Sequence, residues 1–306
     1  MRDPESATIT VERPADFDEF WAETFAGLPD PAPELTRVPH LSDDRVDTFD
    51  LRFTSYQGVR IAAWFCVPRD AQGPLPGILN IPGYISEPMP PRGFAERGYA
   101  ALAIAPRGKL RSNEVFNPGY PGLLTHDIAD HYTYGYRGFY VDTVRALDVL
   151  AGLPGVDPDR LGVQGSSQGG GLGVVTAALR PELVKAVACG APYLCGIREC
   201  VGLTRSYPYE EITEYLHVHP SHAEDVWRTV AYYDGLNFAP AVRAPILIYL
   251  GLRDDVCPPE SGLALHRALS GPKELHTFPN SGHHAGLHWI FPKVEAFLDQ
   301  HLEPLS

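Results

Sequence analysis

Long apolar runs are missing from this chain. No stretch approaches the roughly 20 residues that span a bilayer, and the opening MRDPESATITVERPADFDEF holds no apolar segment of the secretory type. A cytoplasmic protein with no membrane partner is the expectation. Cysteine is scarce. Cys66, Cys189, Cys195, Cys200 and Cys257 are odd in number and show no C-x-x-C spacing. This argues against a disulfide framework or a zinc site and for reduced thiols in a core or pocket, with one Cys195–Cys200 bridge left open. Basic residues are the minority, 25 Lys and Arg against 38 Asp and Glu. A formal net charge of −13 repels phosphate backbones and anionic lipid on average, so nucleic acid is not an expected partner either. Repeats and low-complexity segments are also absent.

What is present reads as one α/β domain over 1–306. Residues 15–27 place Phe17, Phe20, Trp21 and Phe25 near helical spacing, with Asp16 able to cap the start. A Pro-rich connector, Leu28 to Pro39, follows. VDTFDLRFTSY and VRIAAWFCV then alternate like the two strands of an edge hairpin around Gln57-Gly58. From residue 75 short apolar runs (LPGILNIP, YAALAIA, RLGVQG, LVKAVACG, APILIYLG) alternate with helical stretches, and KELHTFP precedes a last helix at about 286–301. Such alternation predicts a doubly wound, mostly parallel sheet covered on both faces. The expected departures are an N-terminal extension (1–44) of helix and connector before the hairpin, a long Tyr/His-rich loop at 106–136 reading as an active-site wall, and a helical cap inserted at 193–233.

Gly165-Ser166-Ser167-Gln168-Gly169 matches G-x-S-x-G between an apolar run and the helical GGGLGVVTAALR. That strand–turn–helix setting belongs to the nucleophile of an α/β-hydrolase fold. The serine occupies a strained turn, and small residues two positions away on either side let strand and helix approach. Ser166 lacks glycine at both positions, which leaves Ser167.

In that fold the acid and the histidine follow late strands, in that order. Asp254 and Asp255 follow APILIYLG; His283 and His284 follow KELHTFP. Asp254 and His283 are the expected triad partners, with Asp255 read as a helix cap. His284 and His288 have the i,i+4 spacing of two metal ligands, yet no third ligand stands near in sequence, so neither metal nor cofactor is expected. His217, His219 and His222 read as a solvated cap surface.

The whole chain resembles carbohydrate esterase family 7, the acetyl xylan esterases and cephalosporin C deacetylases. The resemblance rests on PADFDEFW, the hairpin with AAWF, IPGY, PRG, YRGFYVDTVRALDVL, GSSQGG, PYLCGIREC and GLRDDVCPP. It implies Ser167 as nucleophile, Asp254 as acid, His283 as base, and an oxyanion hole of the Tyr84 and Gln168 N–H groups. It also implies a small acyl pocket suited to acetate, a small-molecule acyl ester as substrate, and a ring-shaped homo-oligomer, a hexamer among the options. Tyr193, with Tyr84, is placed to narrow the acyl pocket or to pack the cap. Arg107 contacts the alcohol part or holds the loop as an ion-pair partner. Two positions depart from the family pattern: Arg-Gly-Gln becomes Arg107-Gly108-Lys109, and His-Glu becomes His283-His284. These departures motivate a second reading, an acyltransferase, cyclase or amide hydrolase with the same triad.

Overall fold

The computed structural model describes residue 4 and residues 8–304. The rest of the 1–44 extension's opening and the final two residues of the expected 1–306 domain lie outside the described residues. Its strands are β1 (Glu34–Arg37), β2 (Val46–Thr54), β3 (Arg60–Pro68), β4 (Leu75–Ile81), β5 (Ala100–Ala105), β6 (Val156–Ser166), β7 (Val184–Gly190), β8 (Ile246–Gly251) and β9 (Lys273–Phe278). They form one sheet in the order β1-β2-β3-β5-β4-β6-β7-β8-β9. The pairings from β5 through β9 are parallel; those of β1, β2 and β3, with β3 on β5, are antiparallel. The predicted hairpin is therefore real. It is not the edge, however, because part of the Pro-rich connector forms β1, with Glu34 opposite Arg52. All four residues of β1 are exposed, so periodicity could not reveal it; what it supplies is partners for β2 backbone groups that an edge would leave open.

The helices are α1 (Phe17–Phe25), α2 (Arg92–Ala95), α3 (Gly135–Gly152), α4 (Gln168–Leu179), α5 (Ile197–Leu203), α6 (Glu210–Val218), α7 (Ala223–Ala231), α8 (Gly235–Phe238), α9 (Pro259–Ala268) and α10 (Phe291–Leu302). Every residue of β5 and β8 is buried, and α3 and α4 are buried over most of their length. This is the pattern of a parallel sheet covered on both faces. Each fully buried aliphatic side chain contributes about 1.5–3 kcal/mol. Helices α5 to α8 lie between β7 and β8; α5, α6 and α7 fall within the 193–233 segment, and α8 follows it. The last helix starts later than its sequence suggests, because Gly286 at φ 86° and a 3₁₀ turn at Leu287–Trp289 intervene.

Helix α1 buries Phe17, Phe20 and Trp21. The Trp21 ring stacks on Tyr140 of α3 with centroids 5.6 Å apart, and its Nε1 donates to the Tyr232 carbonyl at 3.0 Å. Asp16 does not cap α1 with its side chain; its carboxylate instead accepts from the Tyr232 hydroxyl at 2.6 Å. All five cysteines are buried free thiols, Cys195 and Cys200 included.

Candidate active site

The parallel strands β4, β6, β8 and β9 end at one edge of the sheet, and each is followed by a segment that carries one of the expected residues. Ser167 directly follows β6, at φ 58° and ψ −122°. For a non-glycine residue that backbone conformation costs about 1–3 kcal/mol, and here it turns the chain sharply from strand to helix. Tight packing makes the turn fit. A Cβ on Gly169 would lie 2.2 Å from the Ile81 carbonyl oxygen, so only glycine lets the start of α4 press against the end of β4. Gln168 opens α4 fully buried, and its Oε1 accepts from the Tyr136 hydroxyl at 2.7 Å. The first N–H groups of a helix have no intrahelical partner and carry its positive end. Tyr84 stands three residues past β4, nearly buried.

Asp254 and His283 meet. His283 Nδ1 is 2.9 Å from Asp254 Oδ2, with the Asp254 side chain 2% exposed and the His283 side chain 33% exposed. A second close approach supports the contact: a Cβ on Gly251, the last residue of β8, would sit 2.0 Å from the Gly282 carbonyl oxygen. Arg253 N donates to Ser281 O at 2.9 Å, which fastens the two loops together. The other carboxylate oxygen, Asp254 Oδ1, accepts from the N–H groups of Val256 (2.8 Å) and Cys257 (2.9 Å). This corrects the expectation for Asp255. That residue is exposed and its backbone carbonyl accepts from the Thr204 hydroxyl; the residue that organises the turn before α9 is Asp254 itself. His284 is exposed.

Ser167 is partly buried. Among the described residues its hydroxyl makes one polar contact, with Cys257 Sγ at 3.9 Å. Serine hydroxyl, Cys257, Asp254 and His283 are thereby linked in a continuous set of contacts. Burial, followed by the Asp254 charge, pushes the Cys257 thiol far up, so it stays neutral beside the serine and is no thiolate rival.

The remaining expected residues divide. Arg107 is buried against Asp142 of α3: Nε to Oδ2 2.8 Å, Nη2 to Oδ1 2.9 Å, and Nη2 to the Tyr56 carbonyl 2.9 Å. Nε and Nη2 are engaged inside the protein, and of the two readings these contacts show the ion pair. Tyr193 is fully buried, its ring 4.7 Å from Tyr209 and 6.1 Å from Tyr84, and its hydroxyl has no hydrogen-bond partner among the described residues. His219 and His222 stack at 5.2 Å, and Tyr215 Oη lies 2.8 Å from His222 Nδ1. Among the described residues no group of three or more His, Cys, Asp or Glu side chains is placed to hold a metal, and no helix is long and apolar enough to cross a membrane.

One residue of this region escaped the sequence reading. Glu211 of α6 is buried. Its Oε1 accepts from the Tyr84 hydroxyl at 2.7 Å, and its Oε2 from Gly122 N at 2.8 Å and Leu124 N at 3.2 Å. Burial raises its carboxyl above the ordinary range, while these three donors oppose the shift. Glu211 thus joins helix α6, the 106–136 loop and Tyr84 at a single carboxylate. A cavity of about 690 Å³ lies elsewhere, between residues 10–16 and α7. A smaller one of about 320 Å³ is lined by Tyr84, Glu87, Lys109, Asn113 and Tyr120, among others.

Comparison with known proteins agrees with this architecture. A family profile described as acetyl xylan esterase (AXE1) matches residues 8–301. Acetyl esterase Axe7A of Xylanibacter ruminicola is 30% identical over 295 residues, covering 92% of this chain; the chain spans 66% of that protein's length. Among solved structures, the acetyl xylan esterase from Paenibacillus sp. R4 is 31% identical with a TM-score of 0.91, covering 98% of each chain. Acetyl xylan esterase 1 from Thermoanaerobacterium sp. JW/SL YS485 is 28% identical with a TM-score of 0.89, covering 99% of this chain and 98% of that one. The sheet and its flanking helices are those of an α/β-hydrolase fold.

Proposed function

The chain belongs to the acetyl xylan esterase family, a family of serine carboxylic ester hydrolases acting on acetyl groups, and from that premise we propose that it removes short acyl groups from a sugar or a related small alcohol by a Ser-His-Asp acyl-enzyme mechanism. The observation that carries the reading is the 2.9 Å pairing of His283 Nδ1 with Asp254 Oδ2 at the sheet edge where Ser167 sits on a positive-φ turn.

In this mechanism Asp254 fixes the tautomer of His283 with the proton on Nδ1, leaving Nε2 free to accept one. The Ser167 hydroxyl turns from Cys257 toward Nε2, a rotation about one side-chain bond between staggered positions. It attacks the ester carbonyl as its proton passes to His283. The N–H groups of Gln168 and Tyr84 receive the oxyanion, each contributing on the order of 3 kcal/mol. His283 then protonates the departing alcohol. Water, activated by the same imidazole, cleaves the acyl-serine and releases the acid. The alcohol part approaches over the 106–136 loop and the helices between β7 and β8. A cytoplasmic homo-oligomer, hexameric in the ring form the family suggests, is part of the same proposal.

A series of p-nitrophenyl esters of increasing acyl length tests it. Acetate is expected to be the best substrate, with rates falling as the acyl chain grows, and a fluorophosphonate is expected to label Ser167. Turnover of none of these esters, together with an unlabelled Ser167, overturns the reading. Turnover that yields acyl transfer to added alcohols in preference to water turns it toward a transferase.

A further inference from the structure

Lys109 stands where the family pattern has glutamine, and its surroundings are unusual for an ammonium group. It is 4% exposed. Its Nζ donates to the Gly83 carbonyl at 2.9 Å and to the Tyr84 carbonyl at 2.5 Å. The Gly83 carbonyl belongs to the peptide unit whose N–H is that of Tyr84. In a trans peptide the C=O and N–H point in opposite directions, so an ammonium seated on the oxygen side leaves the N–H side open. A cation on the oxygen draws electron density through the conjugated amide and makes its N–H a stronger donor, and the effect is larger where water is excluded.

We propose that Lys109 is a positioning residue for ester cleavage: its ammonium clamps the Gly83 and Tyr84 carbonyls and thereby aims and polarises the Tyr84 N–H that receives the oxyanion. The proposal rests on the assignment of that N–H to the oxyanion hole. Neutral glutamine at this position offers a donor but no charge, so Lys109 adds a protonation-dependent element to the family arrangement.

Burial of Lys109, only partly offset by the Glu87 charge, pushes it down to about 8. The titratable groups that share its cavity are Glu87 and Tyr84, from the segment after β4, and Tyr120, from the 106–136 loop. The Tyr84 and Tyr120 phenols are both shifted upward by burial, which leaves Lys109 as the member of this cavity that titrates on the mildly alkaline side. The charged form is the one that polarises the peptide. Its contribution is therefore complete below pH about 8 and is lost as pH rises through that value.

The test is the pH dependence of kcat for a short-chain p-nitrophenyl ester with the wild type, K109R, K109Q and K109M, each checked by circular dichroism. The wild type is expected to lose kcat through an alkaline limb near pH 8. K109M is expected to lower kcat about tenfold with little change in KM, a fraction of what deletion of an oxyanion donor costs, and to lack the alkaline limb. K109Q is expected to lack the limb as well, and it gives the same reading if K109M does not fold. K109R, which stays protonated throughout, is expected to keep kcat and carry it to higher pH. Wild-type kcat with an unchanged alkaline limb in K109Q or K109M overturns the proposal while leaving the esterase reading intact. A wild type that neither turns over esters nor is labelled at Ser167 removes the esterase reading, and this inference falls with it.

Discussion

His283 Nδ1 and Asp254 Oδ2 lie 2.9 Å apart, while the second oxygen of the same carboxylate is held by the Val256 and Cys257 N–H groups. The acid is thus fixed by its own turn before it meets the histidine. Asp254→Asn keeps the shape but presents an amide N–H₂ to Nδ1, which favours the wrong imidazole tautomer. A loss of about 10⁴-fold in kcat is expected, by analogy with the same change in serine proteases. Asp255→Asn changes an exposed side chain and is expected to leave kcat near wild type. Steady-state kinetics on the two variants checks the assignment, and an inactive Asp255→Asn beside an active Asp254→Asn reverses it.

Arg107 and Asp142 form a doubly hydrogen-bonded pair with side chains 4% and 0% exposed. Arg107→Met leaves the Asp142 carboxylate buried without its counter-charge, which costs about 3–5 kcal/mol. The denaturant midpoint of Arg107→Met is expected to fall accordingly with its slope unchanged. The double variant R107M/D142L removes the orphaned charge as well and is expected to recover part of the loss. A double variant as unstable as the sum of the two single changes contradicts this view of the pair.

The placement of Ser167, Asp254 and His283 was legible because parallel strands put their C-terminal ends at one edge, so each residue needed only the right strand before it. Contacts made across the fold were not legible. Glu211 sits in EEITEY beside Glu210 and Glu214, and nothing local separates the buried carboxylate from its neighbours. Its role is set by Gly122, Leu124 and Tyr84, at least 87 residues away in the chain. Asp255 lies closer to α9 and suggests a cap from the sequence, yet the helix takes no side-chain cap from the described residues; Asp254 instead orders the turn before it, because its second oxygen remains available after binding histidine. Strand β1 was missed because an exposed edge strand carries no apolar alternation.

Glu211 also yields a prediction about stability. In Glu211→Gln one acceptor oxygen becomes an N–H₂ group. If it faces the Gly122 and Leu124 N–H groups, these are left buried without an acceptor, at a cost of about 1–3 kcal/mol. Rotating the amide to satisfy them turns the N–H₂ toward Tyr84, which then must accept instead of donate. A lower melting temperature is expected, together with a fall in kcat, because Tyr84 is anchored through this carboxylate. Tyr84→Phe keeps the carboxylate and its two backbone donors, so its melting temperature should fall less. Equal melting temperatures for Glu211→Gln and the wild type contradict the proposed anchor.

The buried phenols set the alkaline limit of the fold. Tyr134, Tyr136, Tyr140, Tyr193, Tyr209 and Tyr233 are all pushed well above their ordinary value by burial. In the unfolded chain each ionises near about 10, whereas the folded protein keeps them protonated above that pH. The native state then binds more protons than the unfolded state, and stability falls as pH rises. Each such tyrosine steepens the fall by up to about 1.4 kcal/mol per pH unit. The fold should therefore hold up to a pH of about 10 and then be lost cooperatively over a narrow range. Tyrosinate absorbance from these residues should appear together with the loss of near-ultraviolet circular dichroism. If they ionised near pH 10 while the dichroism stayed native, burial would not be what controls them.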